Sequence, residues 1–275
     1  MLMDFFNPQP ELGPSVLATD LDGTFIPLHD KPENREALTK LGKALETNSR
    51  RLVFATGRHF DSVLEVMNEI PLPEPEMIIC DVGSRIMVRQ GEGWSELEAY
   101  QEHLQELTRG VSRRGVEEAL DGIDGLSLQV VAHQTELKIS YQCRSDRLDT
   151  ILAEVEQRAA DLPYTAMGSV DPFLDRGLID VMPGPVSKAY ALLWLATHAD
   201  YAPSEVVYAG DSGNDLAALA AGFRSIIVAN ASPWLPGKTK ALMSERGISA
   251  ERLYLALGEA TSGVLEGCRH FGLVD

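Results

Sequence analysis

Short apolar runs that alternate with helical stretches, each run cut off by a turn, constrain this chain more than any other feature. Val16-Leu17-Ala18-Thr19-Asp20 is the first of them, and residues 51–55 and 77–80 are the next two. Runs of this length bounded by turn residues suit strands buried on both faces of a parallel sheet. Between them, residues 33–47 set Leu38, Leu41 and Leu45 on one helical face, and a second helix is expected over 61–68. The proline-rich Pro71-Leu72-Pro73-Glu74-Pro75 ends that helix. The order β-α-β-α-β gives a parallel sheet with right-handed crossovers.

The middle of the chain has another rhythm. A helix is expected over 112–120, and two strand-like runs, 126–132 and 136–143, meet at a His-Gln-Thr turn. A periodic helix follows, with Leu148, Ile151, Leu152, Val155 and Ala159 on one stripe, and further strands are expected near 164–167 and 178–182. Strands joined by hairpins, with helices on one side, read as a small α+β domain. From Ser187 the first rhythm returns, with a helix over 189–198, strands over 205–209 and 225–229, and a helix from Asp215. The expected fold class is α/β, a parallel Rossmann-like sheet core with an inserted α+β cap domain. The core is expected over 1–86 and 184–275, and the cap over 87–183.

Composition narrows the function. Lys plus Arg number 24 against 41 Asp plus Glu, a net charge of −17 that repels phosphate backbones and anionic lipid. No nucleic-acid or membrane partner is expected. The N-terminal segment, with Asp4, Pro8 and Pro10, lacks the basic and apolar regions of a secretory leader. The apolar stretch 189–196 is far shorter than the roughly 20 residues of a membrane span. A cytoplasmic protein is expected. Cys80, Cys143 and Cys268 show no metal or disulfide spacing and are expected as reduced, partly buried thiols. His29, His59, His103, His133, His198 and His270 are scattered and are read as structural or solvent-facing.

The chemistry lies in the turns after the strands, where open α/β sheets bind ligands. Asp20-Leu21-Asp22-Gly23-Thr24 follows the first strand, Thr56-Gly57-Arg58 the second, and Gly210-Asp211-Ser212-Gly213-Asn214-Asp215 a later one. Four acids converging there require a cation, and oxygen ligands without Cys or His favour Mg²⁺ over zinc. An EF-hand reading fails, because Phe25 and Lys31 stand where the loop needs Gly and Glu. There is no P-loop, no G-x-S-x-G elbow and no H-E-x-x-H pair.

These segments (DLDGT, the threonine of ATGR, Lys188 and GDSGND), with a large insert between the second and third, resemble the haloacid dehalogenase superfamily of aspartate-nucleophile phosphatases. The position of the insert resembles the subgroup with an α/β, type IIB, cap. A likeness to sucrose-phosphate phosphatases within it is carried by Leu137-Lys138-Ile139-Ser140-Tyr141, by Asp180-Val181-Met182-Pro183 before Ser187-Lys188, by Ile227-Val228-Ala229-Asn230-Ala231, and by residues 263–271. The resemblance implies Mg²⁺-dependent hydrolysis of a phosphate monoester of a small sugar or disaccharide, through an aspartyl-phosphate on Asp20. Asp22 is then the acid and base, and its acid form calls for neighbouring charges that raise its pKa. Thr56, Gly57, Arg58, Lys188 and Asn214 are the implied phosphate ligands. The metal falls to Asp20, the backbone carbonyl of Asp22, and Asp211, with Asp215 acting through water or orienting Lys188.

Two departures leave the sugar open. Asp22-Gly23-Thr24-Phe25 stands where those phosphatases tend to have Asp-Asn-Thr-Trp, and Asp175-Arg176-Gly177 lacks an expected Gly-Lys pair. Mannosylfructose phosphate and glucosylglycerol phosphate therefore stand beside sucrose phosphate. Gln134, Lys138, Arg144 and Arg176 are the cap candidates for reading sugar hydroxyls. The alternatives are a sugar phosphomutase of the same superfamily and a non-catalytic metal or sugar-phosphate binding module.

Overall fold

The computed structural model of the chain describes residues 12–29, 31–171 and 174–275. The N-terminal residues 1–11, on which the absence of a leader was read, lie outside the described residues. The chain divides into two compact units, Leu97–Val186 and the segments on either side of it.

The flanking segments build an α/β unit. Its elements are β1 (Val16–Thr19), α1 (Pro32–Thr47), β2 (Arg51–Ala55), α2 (Phe60–Glu69), β3 (Met77–Cys80), β4 (Arg85–Gln90) and β5 (Gly93–Glu96). The inserted unit adds α3 (Glu98–Leu107), α4 (Arg113–Leu120), β6 (Ser127–Leu128), β7 (Ile139–Arg144), α5 (Leu148–Arg158), β8 (Tyr164–Val170) and β9 (Arg176–Pro183). The α/β unit then resumes with α6 (Lys188–His198), β10 (Val206–Gly210), α7 (Leu216–Leu219), β11 (Arg224–Ile227), α8 (Leu235–Glu245), β12 (Leu253–Leu255) and α9 (Ala260–His270).

The large sheet runs β12-β11-β10-β1-β2-β3-β4-β5. Its pairs from β12 through β3 are parallel. β1 and β10 are buried along their whole length, as strands covered on both faces must be. The chain leaves β1 toward β2 on one side and returns as β10 on the other, so β1 is the switch point of the sheet. The carboxyl ends of β10, β1 and β2 therefore lie side by side, and the three chemistry-bearing turns follow those strands.

The expected start of the insert at 87 moves to 97. Residues 85–96 form a hairpin whose first strand pairs antiparallel with β3, Ile79 opposite Ile86, and extends the large sheet. Ile86 is fully buried there, so burial ties the hairpin to the sheet that precedes it.

The inserted unit is an antiparallel sheet in the order β6-β7-β9-β8, with α5 packed on one face. Ile139, Tyr141, Ile151, Val155, Ile179 and Val181 make its core with Val116 and Leu120 of α4. The first of its expected strands, 126–132, shortens to β6. Gln134 ends it: its Nε2 donates to the carbonyls of Gln129 and Ser140, closing the backbone into a turn that leaves Val130 and Val131 exposed. Among the described residues no helix is long and apolar enough to cross a membrane. The three cysteines are buried free thiols.

Candidate active site

β1 ends at Thr19, and Asp20 extends its ladder by donating its N–H to the Ala209 carbonyl at 2.9 Å. The chain then turns sharply through Gly23, whose φ of +79° lies in the region that favours glycine. A Cβ on Gly23 would also sit 2.6 Å from Asp211 Oδ2. The Asn230 side chain pins this turn by donating to the Gly23 carbonyl at 2.7 Å. The two acidic turns are thus pressed against each other, and the Thr24 hydroxyl joins them by donating to Asp211 Oδ1 at 2.9 Å.

Lys188 is the first residue of α6, behind the N-cap Ser187, whose hydroxyl accepts from the Tyr190 N–H. That start fixes the backbone from which a wholly buried ammonium reaches Asp20 Oδ1 at 2.7 Å, Asp215 Oδ1 at 2.9 Å and Asn214 Oδ1 at 3.0 Å. Every ammonium proton has an acceptor. Burial opposes the Lys188 charge, but Asp20 and Asp215 outweigh it and hold its pKa above the ordinary lysine value. Asp20 is pushed up to about 8 by burial and by the charge of Asp215, against the pull of Lys188. Burial and Asp215 likewise push Asp211 up to about 6, against the Thr24 hydroxyl.

Asp215 lies deepest. Its Oδ2 accepts from the backbone N–H of Asp211 and Ser212, with the Ser212 hydroxyl 3.0 Å away. Its Oδ1 accepts from Lys188 and from the hydroxyl of Tyr208, at 2.7 Å. Neither Thr24 nor Tyr208 was among the expected residues. Tyr208 carried a signal, a phenol in the apolar run of β10 three residues before Asp211.

Thr56 is buried after β2, and its hydroxyl accepts from the Arg58 N–H at 3.1 Å. Gly57 is exposed between them, and a Cβ there would stand 4.0 Å from Asn214 Nδ2, so this turn borders the same cluster. A tight turn at Asp81–Gly83 backs it, with Asp81 and Val82 donating their N–H groups to the carbonyls of Arg58 and Thr56. Arg58 is engaged on a carboxylate of the protein itself: Nε and Nη2 each bond an oxygen of Asp22 at 2.7 Å, and Nη1 bonds Ser62. The two side chains are each about a third exposed. The group facing Asp22 is thus a cation, where the sequence reading called for negative neighbours.

Oxygens of Asp20, Asp211 and Asp215 lie within 4.8 Å of one another. Asp20 gives Oδ1 to Lys188 and Asp211 gives Oδ1 to Thr24, which leaves each an oxygen for a cation. Such an oxygen-only donor set fits Mg²⁺.

In the inserted unit, two sugar-reading candidates are used for structure. Gln134 is held on both sides of its amide, its Oε1 accepting from Arg113 and the Ser140 N–H. Lys138 is buried, 3.7 Å from Asp180. Arg144 and Arg176 are exposed, bonded to Asp146 and to Gln142 Oε1.

A parallel sheet with two acidic turns at its switch point, a buried lysine between them and an α+β insert define a phosphatase of the haloacid dehalogenase superfamily. The model of the sucrose-6F-phosphate phosphohydrolase family matches residues 13–272, and the chain belongs to that family. It is 32% identical to a mannosylfructose-phosphate phosphatase of Agrobacterium fabrum, over 94% of this chain and 97% of the relative. It is 26% identical to sucrose-phosphatase 1 of Nicotiana tabacum, over 94% of this chain and 59% of the relative. The crystal structure of the sucrose-phosphatase of Synechocystis sp. PCC6803, in complex with sucrose and phosphate, superposes with a TM-score of 0.75 at 26% identity. That match covers 95% of this chain and 99% of the other.

Proposed function

We propose that the chain hydrolyses the phosphate monoester of a small sugar or disaccharide, Mg²⁺-dependently and through an aspartyl-phosphate. The observation that carries this reading is the buried Asp20–Lys188–Asp215 triad beside Asp211. The relatives that act on mannosylfructose phosphate and sucrose phosphate support the substrate class.

In this reading an Asp20 oxygen attacks phosphorus, the phosphorus–oxygen bond to the sugar breaks, and a proton reaches the leaving oxygen from Asp22. Asp22 afterwards takes a proton from the water that hydrolyses the aspartyl-phosphate. Because Arg58 holds both oxygens of Asp22, one of these bonds opens for each proton transfer. Lys188 favours the anionic, attacking form of Asp20 and, with Arg58, offers charge to the phosphate, while Thr56, Gly57 and Asn214 offer hydrogen-bond donors. Asp20, the Asp22 backbone carbonyl and Asp211 would hold Mg²⁺, with Asp215 behind them; the ion, when bound, offsets repulsion between nucleophile and phosphate. The inserted unit takes the specificity role of a cap, with Arg144 and Arg176 its remaining candidates for the sugar. The buried free thiols suit a cytoplasmic protein.

The test is phosphate release from a panel including sucrose 6-phosphate, mannosylfructose phosphate and glucosylglycerol phosphate, with Mg²⁺ and with EDTA, and with Asp20→Asn as the blank. Release on one disaccharide phosphate, lost in EDTA and in the blank, is the expected result. Movement of phosphate between sugar positions without release selects the mutase. Binding without turnover selects the binding module.

A further inference from the structure

Tyr208 occupies a position that calls for an apolar side chain. β10 alternates across the large sheet, with Val207 and Ala209 in the main core and Tyr208 turned to the opposite face, where α6 and α7 pack. Its ring is fully buried, and Ala18, its register partner on β1, is small. A buried phenol brings a hydroxyl that must find an acceptor. It reaches Asp215 Oδ1 at 2.7 Å, the same oxygen that accepts from Lys188.

This sharing has a consequence for phosphate. All three protons of Lys188 are committed, to Asp20, Asn214 and Asp215, so a phosphate oxygen gains one only by displacing an acceptor. An acceptor that already takes a strong bond from a phenol holds its second donor less tightly. Asp215 Oδ2 is fixed by the Asp211 and Ser212 N–H groups, so the Tyr208 bond completes the orientation of the carboxylate.

We infer that Tyr208 is a positioning residue for phosphate binding: through Asp215 Oδ1 it sets the direction of the Lys188 ammonium and loosens its third bond. The inference rests on the phosphatase reading, in which Lys188 meets the phosphate. Tyr208→Phe removes one oxygen atom and keeps the ring, so packing is retained. In that variant Asp215 draws Lys188 toward itself, and phosphate competes poorly.

The test compares the full chain with its Tyr208→Phe variant by calorimetry, titrating Mg²⁺ alone and then inorganic phosphate in saturating Mg²⁺, with thermal unfolding of both. Expected is a phosphate dissociation constant raised roughly five- to tenfold, as for one hydrogen bond of ordinary strength, with Mg²⁺ affinity unchanged within about twofold. Unchanged phosphate affinity overturns the inference. So does a parallel loss of Mg²⁺ affinity, phosphate affinity and melting temperature, which marks a purely structural tyrosine. If the unsubstituted chain binds no phosphate in Mg²⁺, the phosphatase reading itself fails, and the inference falls with it.

Discussion

Replacing Lys188 by methionine tests the electrostatic reading of the site through stability alone. The substitution keeps an unbranched side chain of similar length and removes one charge. Asp20 and Asp215 then face each other, buried, with no cation between them, and Asp211 adds to the repulsion. Removing one partner of a buried ion pair costs about 3–5 kcal/mol. In a unit of this size each kcal/mol moves the melting temperature by about 2–4 °C, so the metal-free variant should melt roughly 6–20 °C below its parent at pH 8. The sign with pH follows from the carboxylates. Asp211, at about 6 in the parent, is held down in part by Lys188, so losing Lys188 raises it, and above pH 6 the variant's folded state keeps a proton that the parent's gives up. Stability is therefore lost as pH rises toward the folded pKa and regained as it falls, and the deficit shrinks at pH 5.5. Thermal unfolding by circular dichroism in EDTA, at both pH values, gives the comparison. A deficit under about 2 °C at pH 8, or one of equal size at both pH values, would refute the reasoning.

Two further outcomes follow from the same geometry. Asp20 and Asp211 carry pKa values of about 8 and about 6 without metal, so Mg²⁺ must displace protons from them. Mg²⁺ affinity and its stabilising shift in melting temperature should both rise from pH 5.5 to pH 8, with proton release in calorimetry; a flat profile counts against the ligand set. Gly83→Ala places a Cβ 2.3 Å from the Ser187 carbonyl oxygen at a φ of +102°, and backbone cannot swing aside as a side chain would. A melting temperature lowered by roughly 5 °C or more, with weaker phosphate binding because the start of α6 is displaced, is expected; parent-like values in both would show that Lys188 does not depend on this turn.

Most of the fold was legible because parallel strands buried on both faces leave short, unbroken apolar runs, and β1, β2, β3 and β10 are such runs. The hairpin of β4 and β5 was harder to place. Its strands carry mixed polar and apolar residues, and nothing local distinguishes an edge hairpin of one sheet from the first strands of another; the pairing of Ile79 with Ile86 decides it. Residues 130–132 misled for a related reason: an apolar run reads as a strand, while the ladder is ended by a side chain, Gln134, from beyond it. In the site, the residue types at strand ends drew Asp20, Asp211, Asp215 and Thr56 together as candidates, and the family resemblance added Lys188, which starts a helix. Sequence could not indicate how their hydrogen bonds are shared out. That Asp22 takes Arg58 and Asp215 takes Lys188 depends on long-range geometry, while the other bonds to Asp215, that of Tyr208 included, depend on how the turn after β10 folds back on its own strand.

The charge of the cluster explains why a divalent cation suits it. Among the described residues, the cations bonded to the cluster of Asp20, Asp22, Asp211 and Asp215 are Lys188 and Arg58, so the fully ionised site carries a surplus of two negative charges. A phosphate monoester near neutral pH brings two more, into a protein whose overall charge is −17. Protons can neutralise the surplus, and the raised pKa values of Asp20 and Asp211 are the sign of that tendency. But a proton on Asp20 removes the nucleophile, whereas one divalent cation cancels the same surplus and leaves Asp20 ionised. Protonation and metal binding are thus competing solutions to one electrostatic problem, and only the second leaves the site able to attack phosphorus. Lys188 alone therefore cannot replace the metal: its charge is already matched by Asp20 and Asp215 before the substrate arrives.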